Sequence, residues 1–266
     1  MTIRLGAPTC VPIVLAVYLI LLYGPVLLLP FFSFNDSIYV AFPLKGFTVK
    51  WYELMVRDAA MLRALWASVK IGLSVTVVST ILGFLAAKAV TRYRMPGKGA
   101  LFAFILLPLV VPSIILGASL LSFFRQFLHV ELSLWTIAAS HVLICVPFSM
   151  LVLAARLEGF DRNLEEVSSD LGMSAWQTFR RVTLPLAMPG IVSSLLLCFV
   201  VSFDEFLLAF FLSGRQPTLP VYMYSLLRFP ESMPGVLALG SCILIVSIVL
   251  IATSEVVRRR SATSSA

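Results

Sequence analysis

The chain is built of long, unbroken apolar blocks separated by short polar segments. Six blocks reach membrane length, at about residues 11–34, 64–87, 100–124, 134–155, 188–213 and 236–257. A helix needs about 20 mostly apolar residues to cross a hydrocarbon core about 30 Å thick, because each residue rises 1.5 Å. A transmembrane strand would alternate apolar and polar positions over about 10 residues, and these blocks do not alternate. The pattern predicts an all-α polytopic membrane protein with six transmembrane helices, a single domain over 1–266. The run from Val11 to Phe34 is too long for the core of a secretory signal, and no small-x-small cleavage pattern follows it, so the first block is expected to stay as a span.

Composition narrows the class further. Hydrophobic residues make up 60% of the chain and charged residues 12%, against about 25% charged in soluble domains. A soluble enzyme and a disordered chain are both excluded. The net charge of +7 is read as a topology signal and an affinity for anionic lipid. With the N-terminus inside, the inner segments hold Arg4, Lys88, Arg92, Arg94, Lys98, Arg156, Arg162, Arg180, Arg181, Arg258, Arg259 and Arg260. The outer segments hold Lys45, Lys50, Arg57, Arg63, Arg125, Arg215 and Arg228, and Lys70 falls within a span. That excess of cations predicts both termini in the cytoplasm. No basic patch interleaved with aromatic residues points to nucleic acid. Cys145, Cys198 and Cys242 lie inside apolar blocks and Cys10 borders one, as small buried residues do. His129 and His141 have no companion ligands, so no metal site is expected.

The connections are too short for a second folded domain. An amphipathic stretch from Val49 to Leu62, with Trp51 and Tyr52, suits a helix lying on the outer membrane surface. The segment 214–235, with Pro217, Pro220, Pro230 and Pro234, suits an irregular turn. A polar, frayed tail is expected from Ser261 to Ala266.

The inner loop 156–187 is the most organised of these segments. Asn163-Leu164-Glu165-Glu166 has the form of a capping box that starts a short helix. Gly172 stands where such a helix stops on a left-handed residue. Ser174-Ala175-Trp176-Gln177 is a second capping box, opening a helix expected to end near Pro185. Helix, glycine break, helix makes a folded cytoplasmic surface, and such a surface implies a partner.

Glu166-Val167-Ser168, three residues, Gly172, nine residues, then Val182-Thr183-Leu184-Pro185 resembles the EAA loop of ABC-importer permeases. Val167 and Ser168 stand where that pattern has alanines, and Val182 where it has isoleucine. The resemblance implies a type I ABC-importer permease in the bacterial inner (plasma) membrane, with Glu165, Glu166, Ser168, Asp170, Gly172, Leu184 and Pro185 forming the ATPase-coupling loop. Glu166 has two open roles there, capping its own helix or contacting the ATPase. The implied partners are a cytoplasmic ABC ATPase dimer, a second, paralogous permease, a periplasmic or lipid-anchored substrate-binding protein, and membrane lipid. No G-x-x-x-x-G-K-[ST] occurs in the chain, so no cofactor is expected on this chain; ATP and magnesium would sit on the partner ATPase. No nucleophile–base pair marks the spans, and no catalytic residue is assigned.

Asp204 and Glu205 stand in the middle of the fifth block. A charge at the bilayer centre costs about 2.5–3.5 kcal/mol on insertion scales. Phe199, Phe203, Phe206 and Phe210 recur at helical spacing, and on a continuous helix the two acids point away from that stripe. Two readings stay open: a polar passage that attracts cations, or an interhelical ion pair, for instance with Lys70. Ser202-Phe203-Asp204-Glu205-Phe206, with Thr218-Leu219-Pro220 and Tyr224-Ser225, resembles the spermidine/putrescine branch of these permeases. The resemblance implies Asp204 and Glu205 as substrate-path residues. Importers of other organic amines, ferric iron or amino acids remain alternatives, as does a stand-alone transporter using the two acids as a proton relay.

Overall fold

The computed structural model describes residues 10–93, 96–161 and 163–263. Arg4, Arg94, Arg162 and the last three residues of the expected tail lie outside the described residues. The helices in chain order are α1 (Cys10–Ser33), α2 (Lys50–Arg57), α3 (Ala59–Arg92), α4 (Lys98–Val110), α5 (Ser113–Ser122), α6 (Leu134–Glu158), α7 (Asn163–Asp170), α8 (Ala175–Thr178), α9 (Leu184–Asp204), α10 (Leu207–Leu212), α11 (Leu219–Leu226) and α12 (Met233–Thr263). Among the described residues, five helical runs are long and apolar enough to cross a membrane, and a sixth block is a bent helix pair.

Two of the expected spans and one loop helix differ from their sequence reading. The block 100–124 is two helices, α4 and α5, meeting at 98°. Val111 is extended there (ψ 128°) and Pro112 follows it in the same region. The proline ring clashes with a helical residue before it and has no N–H to continue the ladder. The block 188–213 is broken at Glu205, which is extended (ψ 113°) between α9 and α10. The expected single phenylalanine stripe is therefore two pairs, Phe199–Phe203 stacked at 5.7 Å and Phe206–Phe210 tilted at 5.5 Å. Third, the helix that opens at Ala175 does not end near Pro185. It passes through a π-turn at Phe179–Thr183 and continues as α9. The Leu184 N–H donates to the Phe179 carbonyl five residues back, and that shift of register accommodates a proline with no N–H to give.

Two loops also depart from expectation. The amphipathic segment 49–62 forms a helix only over Lys50–Arg57; Asp58 is extended, and Ala59–Leu62 are the first turn of α3. The proline-rich segment 214–235 contains α11, because Pro220 sits in a first turn, where a missing N–H costs nothing.

Chain packing divides into two units, residues 1–59 with 223–266, and 60–222. In the smaller unit α1 and α2 both pack on α12. The connection from α1 to α2 folds around buried Asn35, whose Oδ1 accepts from Lys45 N (3.0 Å) and whose carbonyl accepts from Trp51 Nε1 (2.8 Å). Phe34 stacks on Phe47 beside it at 5.2 Å.

The larger unit is organised by the antiparallel pair α6 and α9. Its contacts fall at four-residue steps on both helices. His141 Nδ1 meets Ser202 Oγ at 3.0 Å; Cys145 and Cys198 each direct Sγ at the other's carbonyl (3.7 and 3.6 Å); Ser194 Oγ donates to Ser149 Oγ at 2.7 Å. At the next step Gly190 lies under Arg156 and Leu153, where a Cβ would stand 2.8 Å from two Arg156 side-chain carbons. Small residues every fourth position let two helices approach closely in a medium that gives no hydrophobic drive between them. Thr80 of α3 joins the ladder through Ser194 (3.2 Å). Apolar clusters around Ile71, Ile137 and Leu208, and around Phe84, Met150 and Leu157, fill the space on either side.

Candidate functional site

The loop between α6 and α9 is folded throughout its described residues. Helix α7 starts two residues earlier in its capping than expected. Asp161 Oδ1, not Asn163, accepts a backbone N–H, that of Asn163 itself at 3.0 Å, and Asp161 Oδ2 takes the Asn163 amide. The capping role open to Glu166 is thus not realised among the described residues; its side chain is exposed. The end of α7 follows the glycine rule. Gly172 has φ +79°, Met173 N donates to the Ser168 carbonyl at 3.2 Å, and Gly172 N to that of Ser169 at 2.9 Å. Those two bonds make a Schellman stop. The Ser174–Gln177 capping box is present in both directions, at 3.3 and 2.9 Å.

Two side chains of α7 turn inward. Ser168 is buried and its hydroxyl pairs with Thr178 Oγ1 at 2.9 Å, joining α7 to α8. Glu165 reaches two other elements: Thr183 Oγ1 donates to its Oε1 at 2.6 Å, and Arg92 Nε at the end of α3 stands 3.5 Å from its Oε2. The Arg92 side chain is only 7% exposed, against 21% for Glu165, and its guanidinium lies over the Phe160 ring. One carboxylate therefore ties the loop to the π-turn and to α3. Leu184 and Pro185 belong to the continuous helix leaving the loop, and Asp170 is exposed at the end of α7.

The outer face of the loop is apolar. Leu164 and Val167 share one side of α7 and are exposed, and Leu171, the residue after its end, is 74% exposed. Trp176 of α8, 67% exposed, stacks on Phe179 at 5.5 Å. This is an exposed apolar knob anchored from beneath by a charged residue.

Asp204 and Glu205 lie at the far end of the helical run that begins at Ala175. Glu205 is partly buried and its Oε1 accepts from Leu208 N at 3.1 Å, capping α10 across the break. Asp204 is exposed and has no hydrogen bond or ion pair with any described residue. Neither acid forms an ion pair with Lys70. Sequence reasoning did not anticipate Arg92, Thr183 or Asp161 as members of the loop. Asp161, two residues before Asn163, had a local signal; Arg92 lies too far along the chain to have one.

Comparison with known proteins agrees with this anatomy. Residues 79–262 match the family described as binding-protein-dependent transport system inner membrane component. The chain is 33% identical over 239 residues to the spermidine/putrescine transport system permease protein PotC of Escherichia coli K12, covering 90% of this chain and 89% of that one. It is 36% identical over 230 residues to the putrescine transport system permease protein PotI of the same strain, covering 84% and 81%. Among solved structures, a bacterial ABC transporter that imports the acidic polysaccharide alginate matches with TM-score 0.61 at 16% identity, over 92% of this chain and 94% of that one. The MetNI methionine ABC transporter, in an inward-facing form, matches with TM-score 0.53 at 21% identity, over 76% and 98%. With its membrane helices, its folded loop and these relatives, the chain belongs to the binding-protein-dependent inner-membrane permeases of ABC importers.

Proposed function

We propose that this chain forms one half of the membrane path of an importer for spermidine, putrescine or a related organic amine. The observation that carries the reading is the loop between α6 and α9, an apolar knob seated on a single carboxylate that reaches both α3 and the root of α9. A knob of this kind suits a groove on a cytoplasmic ATPase dimer, and the loop and both termini then face the cytoplasm. The identity to PotC and PotI over most of the chain supports the amine as substrate. A second permease subunit completes the path, and a binding protein delivers the amine to the opposite face. ATP and magnesium are held by the ATPase, with none on this chain.

Within the path, Asp204 is the residue with an unspent charge. Its carboxylate is exposed, while Glu205 uses one oxygen to hold α10. A carboxylate in a low-dielectric passage favours an ammonium group and repels anions. The test is purification of the tagged chain from mild detergent, followed by reconstitution of what accompanies it into liposomes with labelled putrescine. Uptake that requires ATP and an accompanying ATPase is the expected result. Uptake by this chain alone, without nucleotide, overturns the proposal.

A further inference from the structure

The larger unit contains a pocket of about 260 Å3 that the transport reading leaves without a role. It is lined by Arg63, Trp66, Ala67 and Lys70 of α3, with Leu134 of α6 and Gln216. Arg63, Trp66 and Lys70 share one face of α3, so the wall reads cation, indole, cation. Trp66 is 62% exposed. Neither Arg63 nor Lys70 forms an ion pair with any described residue, and no acidic side chain lines the pocket.

The depth of the pocket follows from α3 itself. No charged residue occurs from Ile71 to Ala87, seventeen positions or about 26 Å of helix. Lys70 and Lys88 bracket that stretch, close to the thickness of a hydrocarbon core of about 30 Å. On this count the apolar crossing begins at Ile71 and not within the block from residue 64, which puts Lys70 at headgroup level, three turns into α3 and on the side away from the Arg92–Glu165 pair. Helical side chains lean toward the N-terminus, which carries its ammonium outward in the direction of Arg63. Below the pocket, Leu73, Val77 and Ile81 continue an exposed apolar face along the helix.

We infer that this pocket binds a phosphate group, carried by the headgroup of a bilayer phospholipid. Two cations with no protein counter-charge supply the anion's partners, the Gln216 amide offers a neutral donor, and an acyl chain can lie along Trp66, Leu73 and Val77. A free phosphate would use the cations but not the apolar face. The paralogous subunit's carboxylate is the competing occupant.

The experiment is native mass spectrometry of the purified complex titrated with phosphatidylglycerol, in wild type and in the Arg63→Gln/Lys70→Gln double variant. Each lost charge is expected to weaken lipid binding about fivefold, and both together about 25-fold. Arg125→Gln, an exposed cation outside the pocket, is expected to change it less than twofold, and a Lys70→Arg variant to retain it. Insensitivity of lipid occupancy to millimolar inorganic phosphate assigns the phosphate to lipid; displacement assigns the same site to a soluble phosphate. Equal lipid binding by wild type and double variant, each with an unchanged Tm, overturns the proposal. So does loss of the second permease from the double variant with lipid occupancy intact, which gives the pocket to a protein carboxylate.

Discussion

Glu165 of the loop and Arg92 at the end of α3 face each other at 3.5 Å, with the arginine side chain almost wholly buried. Removing the carboxylate leaves a buried guanidinium with the Phe160 ring against it and no counter-charge among the described residues. Arg92 Nε makes no hydrogen bond to a described residue, so the contact is ionic, and taking one partner from a buried ion pair is destabilising because the other charge is left uncompensated. Glu165→Ala is expected to lower uptake per ATP hydrolysed at least severalfold while the ATPase still co-purifies. Glu165→Gln keeps an acceptor for Thr183 and is expected to fall between. A double-mutant cycle with Arg92→Gln should return a coupling energy of about 1 kcal/mol or more; additive losses would separate the two residues.

The knob is a different matter. Leu171 and Trp176 are exposed, and substitutions at such positions change stability by about 0.5 kcal/mol or less. Leu171→Asp or Trp176→Ala is thus expected to leave the detergent Tm within a degree or two and to abolish ATPase co-purification. A retained ATPase would place the docking surface elsewhere.

For the acids, the geometry predicts unequal effects. Asp204→Asn is expected to reduce putrescine uptake at least tenfold without loss of expression. Glu205→Gln can still accept the Leu208 N–H and should cost less; Glu205→Ala removes a cap worth about 1 kcal/mol and should lower Tm. Equal uptake by Asp204→Asn and wild type would exclude the acid from the path.

Helix contact supplies a stability test. A side chain at Gly83 would collide with the Ser149 side chain and stand 2.9 Å from the Met150 backbone nitrogen, which cannot move aside. Gly83→Val is expected to destabilise the fold by about 1–3 kcal/mol, read as a lower Tm. At Gly172, where space is open but φ is positive, Gly172→Ala should cost about 1 kcal/mol through the backbone alone.

Much of this was legible in the chain. Apolar block length marked where the long apolar helices lie, five runs and one bent pair among the described residues, because a bilayer fixes how many residues a helix must spend inside it. Gly172 and the Ser174–Gln177 box were legible because their bonds are local. What escaped was decided by neighbours distant in sequence or by alternatives the local code leaves open. Pro112 and Pro185 look alike in the chain, yet one breaks a helix by 98° and the other is absorbed by a π-turn. Nothing near Asp204 announced that Glu205 would leave the helix to cap the next one. Glu165 and Glu166 are adjacent acids on a short helix, and the one that turns inward is the one that meets Thr183 and Arg92.

The run from Ala175 to Asp204 holds 30 residues without a break, about 45 Å at 1.5 Å each. A torque applied at the foot of such a shaft passes toward its tip through the five-residue π-turn and past Pro189, its two points of compliance. Trp176 near the foot and Asp204 at the tip therefore lie on one continuous helical run, and a rotation of the foot about the helix axis is expected to carry the tip with it.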